Sequence, residues 1–185
     1  MRLFSIFSLL VIFALQPVQA VEKTAADFLP PTIVVYAELP QPKLILRGVL
    51  NHPLRKKIEA LDQYKSLLAL PNYRQFTTVT KFVEAQLGMK WQAAVEKLAG
   101  GGIYAGLDAT TNGFVVLMKA SDKESLTKIK DTLLRLARSQ NPKAIPQKKY
   151  RGITAYGLDK TILATVDQWA ILVTKNKLAT KILDL

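Results

Sequence analysis

Residues 103–120 read I-Y-A-G-L-D-A-T-T-N-G-F-V-V-L-M-K-A. Residues 103–107 and 114–120 are rich in the apolar, aromatic and β-branched side chains that suit strands. Between them lies Asp108-Ala109-Thr110-Thr111-Asn112-Gly113, and Asn-Gly is a strong signal for a tight hairpin turn. This stretch predicts an antiparallel strand pair, and it is where the apolar period changes. Upstream the spacing is helical; downstream it alternates between helix and strand.

Working upstream, Gly100-Gly101-Gly102 stops a helical run at 91–98, with Trp91, Val95 and Leu98 expected inward. The order helix, glycines, strand is the reverse of a phosphate-binding loop, where the glycines follow a strand and open a helix. The glycines are therefore read as structural. Before them, Tyr73, Phe76, Val79, Thr80, Val83 and Leu87 recur at helical spacing, with Asn72 as a candidate cap and Gly88 as a left-handed stop. Asn51-His52-Pro53 resembles a helix start, and Leu54, Ile58, Leu61, Tyr64 and Leu68 continue from it at one period up to Pro71. Residues 43–50 predict a short helix after Pro42. Residues 32–38, T-I-V-V-Y-A-E, are fenced by prolines at 30, 31 and 40 and predict the first strand.

Downstream, Ser121 and Glu124 form a candidate capping box for a helix with Leu126, Ile129, Leu133 and Leu136 on one face. Residues 141–149 are read as a polar loop. Three strands follow, at 152–156, 161–166 and 169–174, with tight turns at Leu158-Asp159-Lys160 and Asp167-Gln168. A last helix starts near Asn176, with Leu178, Ile182 and Leu185 inward. The expected fold is α+β: a mainly antiparallel sheet with helices packed on one face and a helical segment after the first strand. The two ββα stretches, from Ile103 and from Thr161, share an order but not an alignable sequence.

The first twenty residues read M-R-L-F-S-I-F-S-L-L-V-I-F-A-L-Q-P-V-Q-A. One cation, a thirteen-residue apolar run and a small-residue site ending at Ala20 make the layout of a cleavable signal peptide. The run is shorter than the roughly 20 residues a membrane span needs. No Cys follows Ala20, which argues against a lipoprotein. The expected organisation is a signal peptide at 1–20 and a single α+β domain at 21–185. The expected location is the periplasm or the extracellular space, with no membrane span after cleavage.

The chain has 26 Lys and Arg against 14 Asp and Glu, a net charge of +12, and no cysteine. Processing after Ala20 removes only Arg2, so 25 against 14 leaves +11. Disulfides and Cys-based metal sites are excluded, and His52 is the lone histidine. Its place before a proline at a helix start suits a capping role. No serine lies in a G-x-S-x-G turn, and no catalytic residue, metal or cofactor is expected. Trp91 and Trp169 are read as core residues. Two dense basic clusters stand out, Arg55-Lys56-Lys57 and Lys148-Lys149-Tyr150-Arg151. They are the candidate polyanion-binding residues. The expected partner is an anionic cell-envelope polymer, since export disfavours nucleic acid. The alternative is an exported hydrolase acting on glycans through two carboxylates, which must converge within about 5–10 Å. Sequence singles out no such pair.

The order of several short motifs resembles a family of uncharacterised exported bacterial proteins of planctomycete type. Leu29-Pro30-Pro31-Thr32-Ile33-Val34-Val35-Tyr36 is similar to the family's L-P-x-[DE]-T opening strand. Asn51-His52-Pro53-Leu54 resembles its x-H-P-L helix start. Residues 86–102, from Gln86-Leu87-Gly88-Met89-Lys90-Trp91 to the three glycines, resemble an L-G-x-x-W…L-x-G-G-G passage. Tyr150-Arg151-Gly152-Ile153 resembles a Y-x-G strand start. The likeness covers most of 27–185 and departs at Pro31-Thr32, where many members carry an acid. Members run to several hundred residues, so the resemblance implies an N-terminal portion of a longer protein. It implies no activity, cofactor or catalytic residue.

Overall fold

A computed structural model describes residues 23–140 and 145–185. The signal-peptide reading of 1–20 lies outside the described residues. A single 3₁₀ turn, Ala26–Phe28, precedes strand β1, Ile33–Leu39. Five helices follow: α1 Pro42–Leu50, α2 Leu54–Ala60, α3 Asp62–Ala69, α4 Pro71–Leu87 and α5 Trp91–Leu98. Next come β2 Ile103–Asp108, β3 Gly113–Lys119 and α6 Lys123–Gln140. The chain ends with β4 Gln147–Tyr150, β5 Ile153–Leu158, β6 Thr161–Val166, β7 Trp169–Val173 and α7 Asn176–Asp184.

The fold is α+β with one antiparallel sheet, and the helical segment follows the first strand as expected. The strand order is β1-β2-β3-β7-β6-β5-β4. Two meanders, β1–β3 and β4–β7, join where β3 pairs with β7, Val115 opposite Val173 and Leu117 opposite Ile171. Asn112, with φ of 48°, turns the β2–β3 hairpin, and Asp159 and Asp167, at 53° and 49°, turn the later ones. Asn and Asp tolerate this left-handed region better than other side-chain-bearing residues.

Alternation along β3 and β7 gives the sheet two buried faces. Val115, Leu117, Trp169, Ile171 and Val173 point one way and meet Phe28 together with Leu178, Ala179 and Ile182 of α7. Phe28 stacks obliquely on Trp169, ring centres 5.3 Å apart, and Tyr104 flanks the same indole at 5.6 Å. Met118 and Ala170 point the other way, against Leu98 of α5 and Leu126 of α6. Leu87, Ala94 and Ile129 tie α4, α5 and α6 together. The helices from α1 to α6 therefore form one group that reaches the sheet on one face, as expected, whereas α7 covers the other. The two ββα stretches consequently place their helices on opposite faces.

Several local expectations change. The helix expected through Leu68 breaks at Leu61, whose ψ of 138° is extended, into α2 and α3. Pro71, expected as a break, is the first helical residue of α4, because its fixed φ and missing N–H suit that position. Gly88 does cap α4, with φ of 67°. At α6 the Ser121–Glu124 box gives way to Asp122, whose carboxylate accepts the Ser125 N–H and hydroxyl at 2.6 and 2.9 Å. Ser121 Oγ instead donates to the Glu96 carbonyl. Thr132 is buried on α6 while Leu133 faces solvent. Residues 147–149 of the segment read as a loop belong, with Tyr150, to the edge strand β4. The C-terminal helix forms as expected and buries Leu178 and Ile182, but Leu185 is exposed.

Candidate functional site

The first basic cluster begins α2. Arg55 is held on both sides: its Nε donates to Glu59 Oε1 at 2.7 Å, one turn on, and its guanidinium also reaches the Leu50 carbonyl at the end of α1. Arg55 thus braces two helices. His52 takes the expected local role, with Nδ1 accepting the Leu54 N–H at 3.2 Å. Lys56 and Lys57 are exposed and make no ion pair among the described residues.

The second cluster runs along β4 and into its turn. Arg151 and Gly152 adopt positive φ of 47° and 82°. The Tyr150 hydroxyl donates to Asp184 Oδ1 at 2.6 Å, and Arg151 Nε lies 3.2 Å from the same oxygen. Arg151 also bonds the Asp184 carbonyl, where it meets the exposed end of α7. The hydrogen bond to Asp184 raises the Tyr150 pKa, because the phenol proton is in use and a phenolate would face a carboxylate. Tyr150 and Arg151, expected as binding residues, are thus employed in fastening α7. Lys148 and Lys149 remain exposed. Lys148 and Tyr150, two apart on the strand, border a cavity of about 240 Å³ between β5, β6 and α7, where Ala155, Gly157 and Ala179 are too small to fill the space. The two clusters therefore sit on separate elements, one on the helical group and one at the sheet edge.

The helical group holds a feature that sequence reading did not place. A broad, open cavity of about 620 Å³ is lined by Val49, Leu54, Ile58, Tyr64, Phe76 and Trp91, drawn from all five helices α1–α5. Val49 and Phe76 are each 65% exposed and Trp91 37%, whereas Trp169 is only 3% exposed. Trp91 and Val95, expected inward, are therefore exposed, and so are Tyr73 and Phe76 on the apolar face of α4. Helical spacing shows that a face is apolar but not that anything covers it. Leu87, on the apolar face expected of α4, is buried near its end, and in α5 the buried position is Ala94. The sequence signal was the number of apolar helical faces before the first hairpin, more than one face of one sheet can cover.

Most carboxylates near the helices serve structural partners. Glu59 holds Arg55, Asp62 holds Lys65, and Glu96 makes a two-pronged contact with Arg47 at 3.0 and 3.1 Å. Glu84 accepts the Trp91 N–H that starts α5, and this bond lowers its pKa. Among the described residues the buried carboxylate is Asp108, at the end of β2. Its Oδ1 accepts the N–H groups of Thr110 and Thr111 at 2.9 and 2.8 Å and both hydroxyls. Its Oδ2 accepts the Thr32 hydroxyl and lies 3.5 Å from Lys181 Nζ on α7. Burial alone would raise the Asp108 pKa, but these hydrogen bonds outweigh it and hold the carboxyl well below the usual range. A carboxylate so fully engaged fixes the hairpin to β1 and α7. The helical cavity contains Glu59 as its carboxylate, a third cavity near β6 contains Asp159, and the β4 cavity contains none. Among the described residues no group of three or more His, Cys, Asp or Glu could hold a metal ion.

No family model matches the chain, and no curated protein matches it significantly. Two solved structures show a distant likeness. The one described as crystal form III of TP0453 is 14% identical with a TM-score of 0.43, covering 89% of this chain and 54% of that one. Crystal form IV of TP0453 is 14% identical with a TM-score of 0.32, covering 57% of this chain and 44% of that one. The chain spans about half the length of these structures.

Proposed function

We propose that the protein is an exported, non-catalytic domain that binds at the cell envelope through its basic surface. The observation that carries this reading is the sign of the charge left over after local pairing. Lys56, Lys57, Lys148 and Lys149 are exposed without an ion-pair partner among the described residues, while Glu59, Asp62, Glu84, Glu96, Asp122 and Asp184 are all engaged. Unpaired lysine ammoniums at two places favour an extended polyanion over a compact substrate. Among the described residues, the three cavities above are lined by one carboxylate at most, Glu59 in one and Asp159 in another.

Retention on an immobilised anionic polysaccharide tests the reading. The chain processed after Ala20 should bind and elute earlier as ionic strength rises, because exposed charges are screened beyond about 10 Å at 0.1 M salt. K56E/K57E and K148E/K149E should each weaken retention. Equal retention on a neutral polysaccharide, or elution indifferent to salt, would refute it.

A further inference from the structure

We infer that the open apolar face of helices α1–α5 docks on the surface of an anionic lipid bilayer. The inference deepens the envelope-binding reading by naming a partner for the helical group, and it rests on that reading only for the location. Contiguous exposed apolar surface rimmed by charge marks an interaction site. Here the surface is a shared one: Val49, Leu54, Ile58, Tyr64, Phe76 and Trp91 border one open cavity although they come from five separate helices. The same helices expose further large apolar side chains at Leu44, Ile45, Leu67 and Phe82.

Three occupants could cover such a face, and charge chooses among them. Residues 42–87 carry eight Lys and Arg against three Asp and Glu. Lys56, Lys57, Arg74 and Lys81 are exposed and without an ion-pair partner among the described residues. A second copy of the chain would bring this positive excess against itself. A single amphiphile in the cavity would leave Leu44, Ile45 and Phe82, which do not line it, uncovered. A bilayer with anionic headgroups meets both demands. Apolar side chains enter the boundary between headgroup and acyl chain, while Lys and Arg stay at the phosphate level. Among the described residues no helix is long and apolar enough to cross a membrane, so the helices would lie on the surface. Trp91, on the cavity wall, suits the headgroup region, where an amphipathic ring is favoured.

The test is flotation of the processed chain with vesicles of pure lipid. Among the described residues the buried core lies between Ala25 and Ile182, and this form keeps all of those residues. It should float with vesicles containing phosphatidylglycerol and much less with phosphatidylcholine alone. Trp91 emission should shift to the blue on binding, with the buried Trp169 as a constant background. I58D/F76D changes only exposed side chains, so its circular dichroism and melting should match the parent while its partitioning falls at least about tenfold, as a charge near the apolar boundary demands. K56E/K57E should lower partitioning in a salt-dependent way.

The inference is overturned if the chain stays in solution with anionic vesicles. It is overturned equally if I58D/F76D floats as well as the parent. Light scattering that shows a lipid-free dimer, lost in I58D/F76D, would assign the face to a second copy and also overturn it. Vesicles contain no polysaccharide, so the two readings fail separately. Lost polysaccharide retention with intact flotation removes the polymer reading alone, and the reverse removes the bilayer.

Discussion

The β3–β7 seam and the α1–α5 group hold apolar side chains in opposite ways. At the seam, Val115, Leu117, Ile171 and Val173 are sealed between Phe28 and α7. In the helical group, Val49, Leu54, Ile58 and Phe76 face solvent around an open cavity. Both regions space their apolar side chains regularly along the chain. The difference is whether a second layer exists to receive the side chains. A sheet flanked by α7 on one face and α5–α6 on the other has no third face left for the earlier helices. Stability therefore resides at the seam, and the helical group keeps its apolar surface for contact.

The sharpest way to break this contrast is to truncate one residue on each side. Leu178→Ala or Ile171→Ala should lower unfolding free energy by about 2–5 kcal/mol, through lost transfer energy plus a cavity that α7 cannot collapse to fill. Phe76→Ala should change it by less than about 0.5 kcal/mol, since most of that ring is already in water. Urea titration measures both. A comparable loss at Phe76 would mean that the helical face is closed.

The next effect concerns the joint between the hairpin and α7. Asp108→Asn keeps the shape but loses the charge that Lys181 and the threonine donors satisfy, and should cost about 1–3 kcal/mol. The pH dependence has a definite sign. The folded-state pKa of Asp108 lies below its unfolded value of about 3.9, so its contribution is complete above that value and is lost as pH falls through the folded pKa. Acid titration of stability should be less steep in the Asn variant. Unchanged acid sensitivity would show that other carboxylates dominate.

A smaller effect separates two candidate caps for α6. Asp122→Ala should lower the melting temperature by removing the acceptor for the Ser125 N–H, and Ser121→Ala should lower it less. The reverse order would restore the capping box that the sequence suggests.

The parts of this fold that sequence makes legible are those where local chemistry and tertiary packing agree. The β2–β3 hairpin is one: alternation, a turn Asn and a following helix start all point the same way. Gly88 is another, because a left-handed φ of 67° selects glycine whatever surrounds it. Strand β4 was illegible because Q-K-K-Y is a short polar edge strand, defined by its pairing with β5 and not by apolar period. The break at Leu61 was illegible because the apolar spacing continues across it. The basic residues of the candidate site were visible, but their partners were not. Arg55 meets the end of α1, and Tyr150 and Arg151 meet Asp184, which lies 34 and 33 residues further along the chain. Periodicity likewise found the apolar helical faces and assigned them inward, since a one-dimensional pattern carries no count of available partners.

The smallest effect on stability is expected within the second basic cluster, where neighbouring residues divide into binding and fastening roles. Lys149 pairs through its backbone with Thr154 and makes no ion pair among the described residues, so Lys149→Glu should leave melting unchanged while weakening salt-dependent retention on anionic polysaccharide. Tyr150→Phe should do the opposite. It removes the hydroxyl that bonds Asp184, loosening the end of α7 slightly, and leaves the cluster's charge intact. Hydrogen exchange at the last turn of α7 and polysaccharide retention, measured on both variants, should therefore move in a crossed pattern. If Tyr150→Phe weakens retention as much as Lys149→Glu, the Tyr150 hydroxyl contributes to binding, and its bond to Asp184 is compatible with that role. If only Lys149→Glu does, the edge strand binds by charge and the tyrosine belongs to the fold.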